Sequence, residues 1–180
     1  MRYLRVTSQD RSGNGRADTV LLRFYEEVPG QPDKLMLKAS SVDINADGVT
    51  DLQCGGDVNH DGKDNAKDEK LIRTFANAFL KLEWFNQGKS WQRYIKVFAE
   101  DYYHDNSPNV VRLHLHEGTG TPRNQTLIYK ASAHDTDNDG TLDSVVYLGE
   151  NGDGENICSR AQEQLIKEMG RTFLKFKWHH

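Results

Sequence analysis

The chain has 180 residues, with 23 Lys and Arg against 27 Asp and Glu and a formal net charge of −4. That length fits one compact domain or two small ones. No apolar run approaches the roughly 20 residues of a membrane-spanning helix, and the acidic balance runs against a nucleic-acid binder, which carries a basic surplus. Asp outnumbers Glu by 17 to 10 and gathers beside Gly and Asn, a composition that suits loops and hard-cation sites better than solvated helix faces. The opening residues, Met1 to Val6 followed by Thr, Ser, Gln and Asp, hold no signal-peptide apolar core. The two cysteines, Cys54 and Cys158, fit no metal motif and leave open one disulfide or two free thiols.

In chain order, Arg2–Thr7 alternates apolar and polar residues and reads as a strand. The polar segment 10–18 leads to a second strand at Thr19–Val28, and the Pro- and Gly-bearing stretch 28–33 is a turn. Lys34–Val42 is a third strand, and a loop at 43–51 precedes a short fourth at Leu52–Cys54. Loop 57–68 then opens a helix whose Leu71, Ile72, Phe75, Phe79 and Leu82 recur at steps of three and four, giving one buried stripe. Arg93–Ala99, Val110–Glu117, Thr126–His134 and Ser144–Leu148 repeat the strand pattern, and a closing helix carries Leu165, Ile166, Met169, Phe173 and Phe176.

The second series matches the first in residues as well as in order. Lys38-Ala39-Ser40 followed by Asp43, Asp47, Gly48 and Asp51 returns as Lys130-Ala131-Ser132 followed by Asp135, Asp139, Gly140 and Asp143, an offset of 135 − 43 = 92. Tyr3 to Val6 resembles Tyr94 to Val97, and Leu80 to Trp84 resembles Leu174 to Trp178. The expected fold is α+β, a tandem repeat of two ββββα units. Each would be an antiparallel sheet with one C-terminal helix on its inner face, with calcium loops between strands and at the helix start. Residues 1–86 form the first repeat, 87–92 a polar junction and 93–180 the second.

The Asp-rich loops carry the chemistry. Residues 57–68 place Asp57, Asn59 and Asp61 at alternate positions, then Gly62, Lys63 and, on the first helical turn, Asp68. Ca²⁺ takes about 6–8 oxygens at roughly 2.3–2.6 Å, and alternate residues turn their oxygens inward as a chain curls round an ion. Gly62 permits the sharp turn, the Lys63 carbonyl follows, Asp68 closes the far side, and Asn65 lies within reach of the ion. Two shorter loops follow D-x-[DN]-x-D-G-x-x-D, in which the ninth residue replaces the distant closing acid. One offers Asp43, Asn45, Asp47, the Val49 carbonyl and Asp51; the other offers Asp135, Asp137, Asp139, the Thr141 carbonyl and Asp143. Four carboxylates within nine residues repel one another without a cation. The plain alternative is that Asp-Gly simply makes hairpin turns.

Loop 57–68 resembles dockerin-type calcium loops over residues 57–85, and 43–51 and 135–143 resemble the calcium hairpins of integrin-type propeller repeats and other extracellular bacterial proteins. The resemblance implies EF-hand-like Ca²⁺ ligation and leans towards an extracytoplasmic or secreted setting. It does not extend to cohesin binding, because dockerins carry two loop–helix units close together. Segments 10–18, 101–109 and 149–163 stand at related places with weaker ligand sets: Ser12 and Asn14 replace acids in the first, Asn106 replaces Gly in the second, and Gly149 replaces the first Asp in the third, where Glu163 would close the site.

His114 and His116 share a strand face and are expected to belong to a polar outer surface. Trp84 and Trp178 are expected to pack in the core or between the halves, and Trp91 at the junction. No nucleophile elbow, phosphate loop, dinucleotide fingerprint or zincin helix is present. The expected function is non-enzymatic Ca²⁺ binding, mainly for structural stabilisation. The alternatives are a calcium-dependent adhesion or recognition module with a glycan or protein partner, and a calcium sensor. Two bound Ca²⁺ would bring the net charge to −4 + 4 = 0.

Overall fold

The computed structural model describes residues 1–82, 92–118, 121–148 and 159–179. β1 (Arg2–Gln9), β2 (Thr19–Glu26), β3 (Lys34–Val42) and β4 (Leu52–Cys54) lead into α1 (Ala66–Leu80). β5 (Arg93–Glu100), β6 (Val110–Glu117), β7 (Leu127–His134) and β8 (Ser144–Leu148) lead into α2 (Arg160–Lys175). The bounds fall within two residues of those read from periodicity. β2 stops at Glu26 rather than Val28, and the ladder closes with the Glu27 amide donating to the Met1 carbonyl at 2.8 Å. Leu82 lies past the end of α1 yet is buried. Trp84, Trp91 and Cys158 lie outside the described residues, while Cys54 is exposed.

One antiparallel sheet contains all eight strands, in the order β4-β3-β2-β1-β5-β6-β7-β8. This corrects the expectation of a separate sheet in each repeat. β1 and β5 pair antiparallel, with Leu4 opposite Val97 and Val6 opposite Ile95. The reason is the edge. A lone β1–β4 or β5–β8 meander would expose an eight-residue apolar strand with unpaired amides, and joining the two meanders removes both edges at once. The remaining edges are β4, three residues long, and β8, five residues long.

Both helices lie on one face. α1 packs on β2, β3 and β4, α2 on β5 to β8, and the helices pack on each other. Leu4, Val6, Leu22 and Phe24 from one half share a single core with Ile95, Val97, Leu113 and Leu115 from the other, beneath Phe75, Phe79, Phe173 and Phe176. Trp178 crosses between the halves: its indole N–H donates to the Tyr25 carbonyl at 3.1 Å and its ring meets Phe24 edge-on at 6.0 Å. Among the described residues, no helix is long and apolar enough to cross a membrane.

Among the described residues the opposite face has no helix, yet Tyr3 and Tyr94 on it are 1% exposed and His116 3%. Cross-strand neighbours cover them. Lys96 Nζ lies 4.4 Å from the Tyr3 ring and the Arg5 guanidinium 4.2 Å from the Tyr94 ring, while Tyr94 stacks on His116 at 5.0 Å. His114 and His116 therefore share a face as expected, but they are largely packed rather than solvated. Burial foremost, then nearby cations, holds each imidazole down at about pKa 4.

α2 comes close to the sheet at Gly170, where an added Cβ would lie 2.9 Å from Leu142 Cδ1 and 3.4 Å from Ala133 Cβ. Small residues on β7 (Ala131, Ala133) complement this approach. Gly170→Leu is expected to lower stability by about 1–3 kcal/mol through overpacking, read as a drop of several degrees in the thermal midpoint. An unchanged midpoint would refute the close approach.

Candidate metal centre

Five loops share one local backbone. Taking Asp10, Asp43, Asp57, Asp101 and Asp135 as first places, the fourth places have positive φ at Gly13 (73°), Ala46 (59°), His60 (56°), His104 (57°) and Asn138 (58°). The sixth places do so at Gly15 (86°), Gly48 (87°), Gly62 (86°), Asn106 (68°) and Gly140 (88°). Left-handed backbone costs a side chain free energy, least for Gly and Asn. A repeated set of hydrogen bonds supports it. In each loop the first-place carboxylate accepts from the fifth and sixth amides; Asp43, Asp57 and Asp135 accept from Gly48, Gly62 and Gly140 at 2.7, 2.7 and 2.8 Å. The fifth-place oxygen accepts in turn from the seventh amide, as Asp47 does from Val49, Asp61 from Lys63 and Asp139 from Thr141.

This curl gathers acids. Asp135, Asp137 and Asp139 each bring a carboxylate oxygen to within 4.8 Å of the others, an arrangement that could hold a metal ion. Asp135 is buried, the other two exposed. The fourth acid, Asp143, is engaged by the Thr136 hydroxyl at 2.8 and 3.0 Å, which foremost holds its pKa below the usual carboxylate range. Asp137 is pushed the other way, by desolvation first and then by the charge of Asp139. Among the described residues no other trio of His, Cys, Asp or Glu comes as close. In loop 43–51, Asn45 takes the third place and Asp51 accepts from the Ile44 amide at 2.8 Å, while Asp43 is buried and Val49 exposed.

In loop 57–68 the expected closing acid has a second duty. Asp68 is 1% exposed. Its carboxylate accepts from the Asn59 amide at 3.2 Å, across the loop, and from the Asn65 amide at 3.0 Å. Asn65 is the N-cap of α1, accepting from the Lys67 amide at 2.9 Å, so Asn65 and Asp68 form a capping box. Asn65 Nδ2 also donates to the Lys63 carbonyl at 3.3 Å. The D-N-A-K-D spacing held this signal, which a reading in terms of ligands alone passes over.

The two weaker loops act as neighbours. Segment 10–18 lies beside 43–51, with the Asp43 amide donating to the Asp18 carbonyl at 2.7 Å and an open cleft of about 440 Å³ between them. Segment 101–109 lies beside 135–143. The Asp135 amide donates to the Asn109 carbonyl at 2.8 Å, Asn109 Nδ2 to Asn138 Oδ1 at 2.7 Å, and Asn138 Nδ2 to Asp105 at 2.6 Å. Their third places are spent elsewhere: the Ser12 hydroxyl donates to Asp10, and the Tyr103 hydroxyl to the Thr136 carbonyl at 2.9 Å. Their ninth places tie the loop to itself. Desolvation pushes the Asp18 pKa up, but hydrogen bonds from the Arg11 and Ser12 amides and the Thr19 and Ser12 hydroxyls together hold it below the usual carboxylate range, and Asn109 accepts from the Tyr102 amide at 2.7 Å. Asn106 takes the left-handed backbone expected only of Gly. Of segment 149–163, residues 149–158 lie outside the described residues; Ser159 caps α2 and Glu163 lies in its first turn.

Each Asp-rich loop is also fastened to a helix. The Thr50 amide and hydroxyl both donate to Asn77 on α1 at 2.9 Å, and Arg171 on α2 donates to the Leu142 carbonyl at 2.9 Å. His60 bonds to the Phe176 carbonyl at 3.0 Å and stacks on Trp178 at 5.0 Å. No family model matches the chain, and neither the curated proteins nor the solved structures provide a match.

The raised pKa of Asp137 gives a sign-crossing test. A carboxylate raised in the folded state lowers stability as pH rises through its folded pKa, so near pH 7 the ionised Asp137 opposes folding unless a cation offsets it. Asp137→Asn is expected to raise the thermal midpoint in chelator and to weaken binding of any divalent cation held by the trio about tenfold, the loss of one charged group. A lower midpoint in chelator would contradict the repulsion, and unaltered cation affinity would remove Asp137 from the candidate site.

Proposed function

We propose that this chain is a non-enzymatic calcium-binding protein. Its loops 43–51, 57–68 and 135–143 would hold Ca²⁺ as structural staples on a fold made by duplicating one ββββα unit. The convergence of Asp135, Asp137 and Asp139 carries the reading: clustered carboxylates in a preformed curl lack only the positive charge. Flexible oxygen-rich loops suit Ca²⁺ better than Mg²⁺, which demands a tight octahedral shell and keeps its waters.

Duplication is supported by the register. The β2–β3 ladder shifts at Phe24/Tyr25 and the β6–β7 ladder at Leu115/His116, 91 residues apart, and irregularities of this kind are inherited features rather than accidents. Stapling, rather than switching, is supported by the attachment of each loop to a helix that packs on a shared core. A cation there would tie a helix start or flank to the sheet, where a sensor needs helices free to open a groove.

Calcium-dependent recognition of a glycan or protein is the second reading. Its support is the exposed pair Tyr102 and Tyr103, which line a cleft of about 270 Å³ with Arg112, His134 and Thr136. A glycan array with and without calcium separates the two.

A ligand that binds only the folded state stabilises by RT ln(1 + [L]/Kd), about 2.7 kcal/mol per site at 100 times Kd. Calcium in excess is therefore expected to raise the thermal midpoint by several degrees over chelator, and native mass spectrometry in calcium to show two to four bound ions. No shift and no bound ion would overturn the proposal.

A further inference from the structure

On the face that no described helix covers, the register sets a basic side chain from each of six strands in a single file. Lys38 lies opposite Arg23, Arg23 opposite Arg5, and Arg5 opposite Lys96. Lys96 lies opposite His114, and His114 opposite Lys130. Residues directly opposite share a sheet face, and like charges so placed are destabilising. At about 4.8 Å per strand, the six positions span roughly 24 Å.

Little among the described residues offsets this charge. Among the described residues, Lys96 alone in the file has a carboxylate partner, Glu27 at 2.7 Å. Arg5 lies over Tyr94 with its Nε buried and lacking a hydrogen-bond partner. Among the described residues Arg23 reaches only the Thr7 hydroxyl, at 3.5 Å, and Lys38 and Lys130 are exposed. The positive field is felt by His114, kept neutral first by burial and then by Lys130, His116, Arg112 and Lys96. Four cations without a carboxylate partner, in line on a sheet face that no described element covers, are a cost that a ligand of matching charge would offset.

We propose that this file is a binding track for a linear acidic polysaccharide, its carboxylate or sulfate groups paired along the row from Lys38 to Lys130. A second copy of the same face would be repelled. Single-stranded nucleic acid binds through bases stacked on open aromatic rings, but Tyr3 and Tyr94 are buried beneath Lys96 and Arg5. The exposed Tyr102 and Tyr103 lie off the file, beyond the end of β5. An anionic membrane is met by apolar side chains set among cations; on this face the exposed Leu148, opposite Lys130, and Val146 stand only at the β8 end of the file, so vesicles form one arm of the test. None of the Asp-rich loop residues takes part, so the track stands whether or not those loops bind calcium.

The test measures binding of a heparin fragment, an oligothymidylate of equal charge and phosphatidylserine vesicles to the full chain in calcium buffer. Heparin is expected to bind best, and to weaken about tenfold or more between roughly 0.02 and 0.15 M salt as screening shortens. The triple variant Lys38→Gln, Arg23→Gln and Lys130→Gln is expected to lose about tenfold. The charge-matched control Lys67→Gln, Lys70→Gln and Lys81→Gln should stay within about twofold. The single variants Lys38→Gln and Lys130→Gln, both at exposed positions, should each lose part of the affinity and serve if the triple variant does not fold. No heparin binding at low salt, equal losses in the two triples, or tighter binding of oligothymidylate or vesicles would overturn the proposal.

Discussion

The pairing of β1 with β5 governs the rest of the molecule. Each four-stranded meander has one long apolar strand at its edge, and antiparallel pairing satisfies both rows of amides together. Because the two strands run in opposite directions, the loop that follows β1 and the loop that follows β5 emerge at opposite ends of the sheet. The same pairing sets α1 and α2 side by side over one core. It also brings Arg5 opposite Lys96, joining two short basic rows into one file.

Charge is segregated within this frame. The formal value of −4 is an average over Asp-rich loops at the strand ends and a cationic file across the middle of one face. Neither region resembles the average. In the loops, carboxylates are held together by backbone amides that accept the curl but do not cancel the charge. On the face, guanidinium and ammonium groups are held over aromatic rings, which accommodate cations at modest gain. Among the described residues both arrangements leave most of their charge uncompensated, and both proposals follow from that shared property.

The loops also divide their labour. Those at 43–51 and 135–143 retain acids at the first, fifth and ninth places. Their neighbours at 10–18 and 101–109 keep the same curl but turn their third-place side chains to hydrogen bonds within the protein. The neighbours buttress the acidic loops, and a backbone of this shape does not by itself mean a metal ligand set. Asn106 illustrates the difference: its side chain tolerates the left-handed backbone that Gly provides elsewhere, so the curl is kept without the acid pattern of the neighbouring loop.

The sequence by itself determined the strands, the helices and the Asp-rich loops, because these rest on alternation, three-to-four spacing and side chains acting on amides a few residues away. Lys34–Val42, Leu52–Cys54, Val110–Glu117 and Ser144–Leu148 were legible to the residue, and the acids at 135, 137 and 139 were legible as a cluster. The capping role of Asn65 and Asp68 lay in the same local spacing but was overshadowed by their resemblance to ligands. Tertiary structure alone decided that the two halves share one sheet, that Trp178 reaches across to Tyr25 and His60, and that residues 38, 23, 5, 96, 114 and 130 stand in line. Those outcomes depend on which strand edges meet and in what register, a choice made by long-range pairing that no short window of sequence contains.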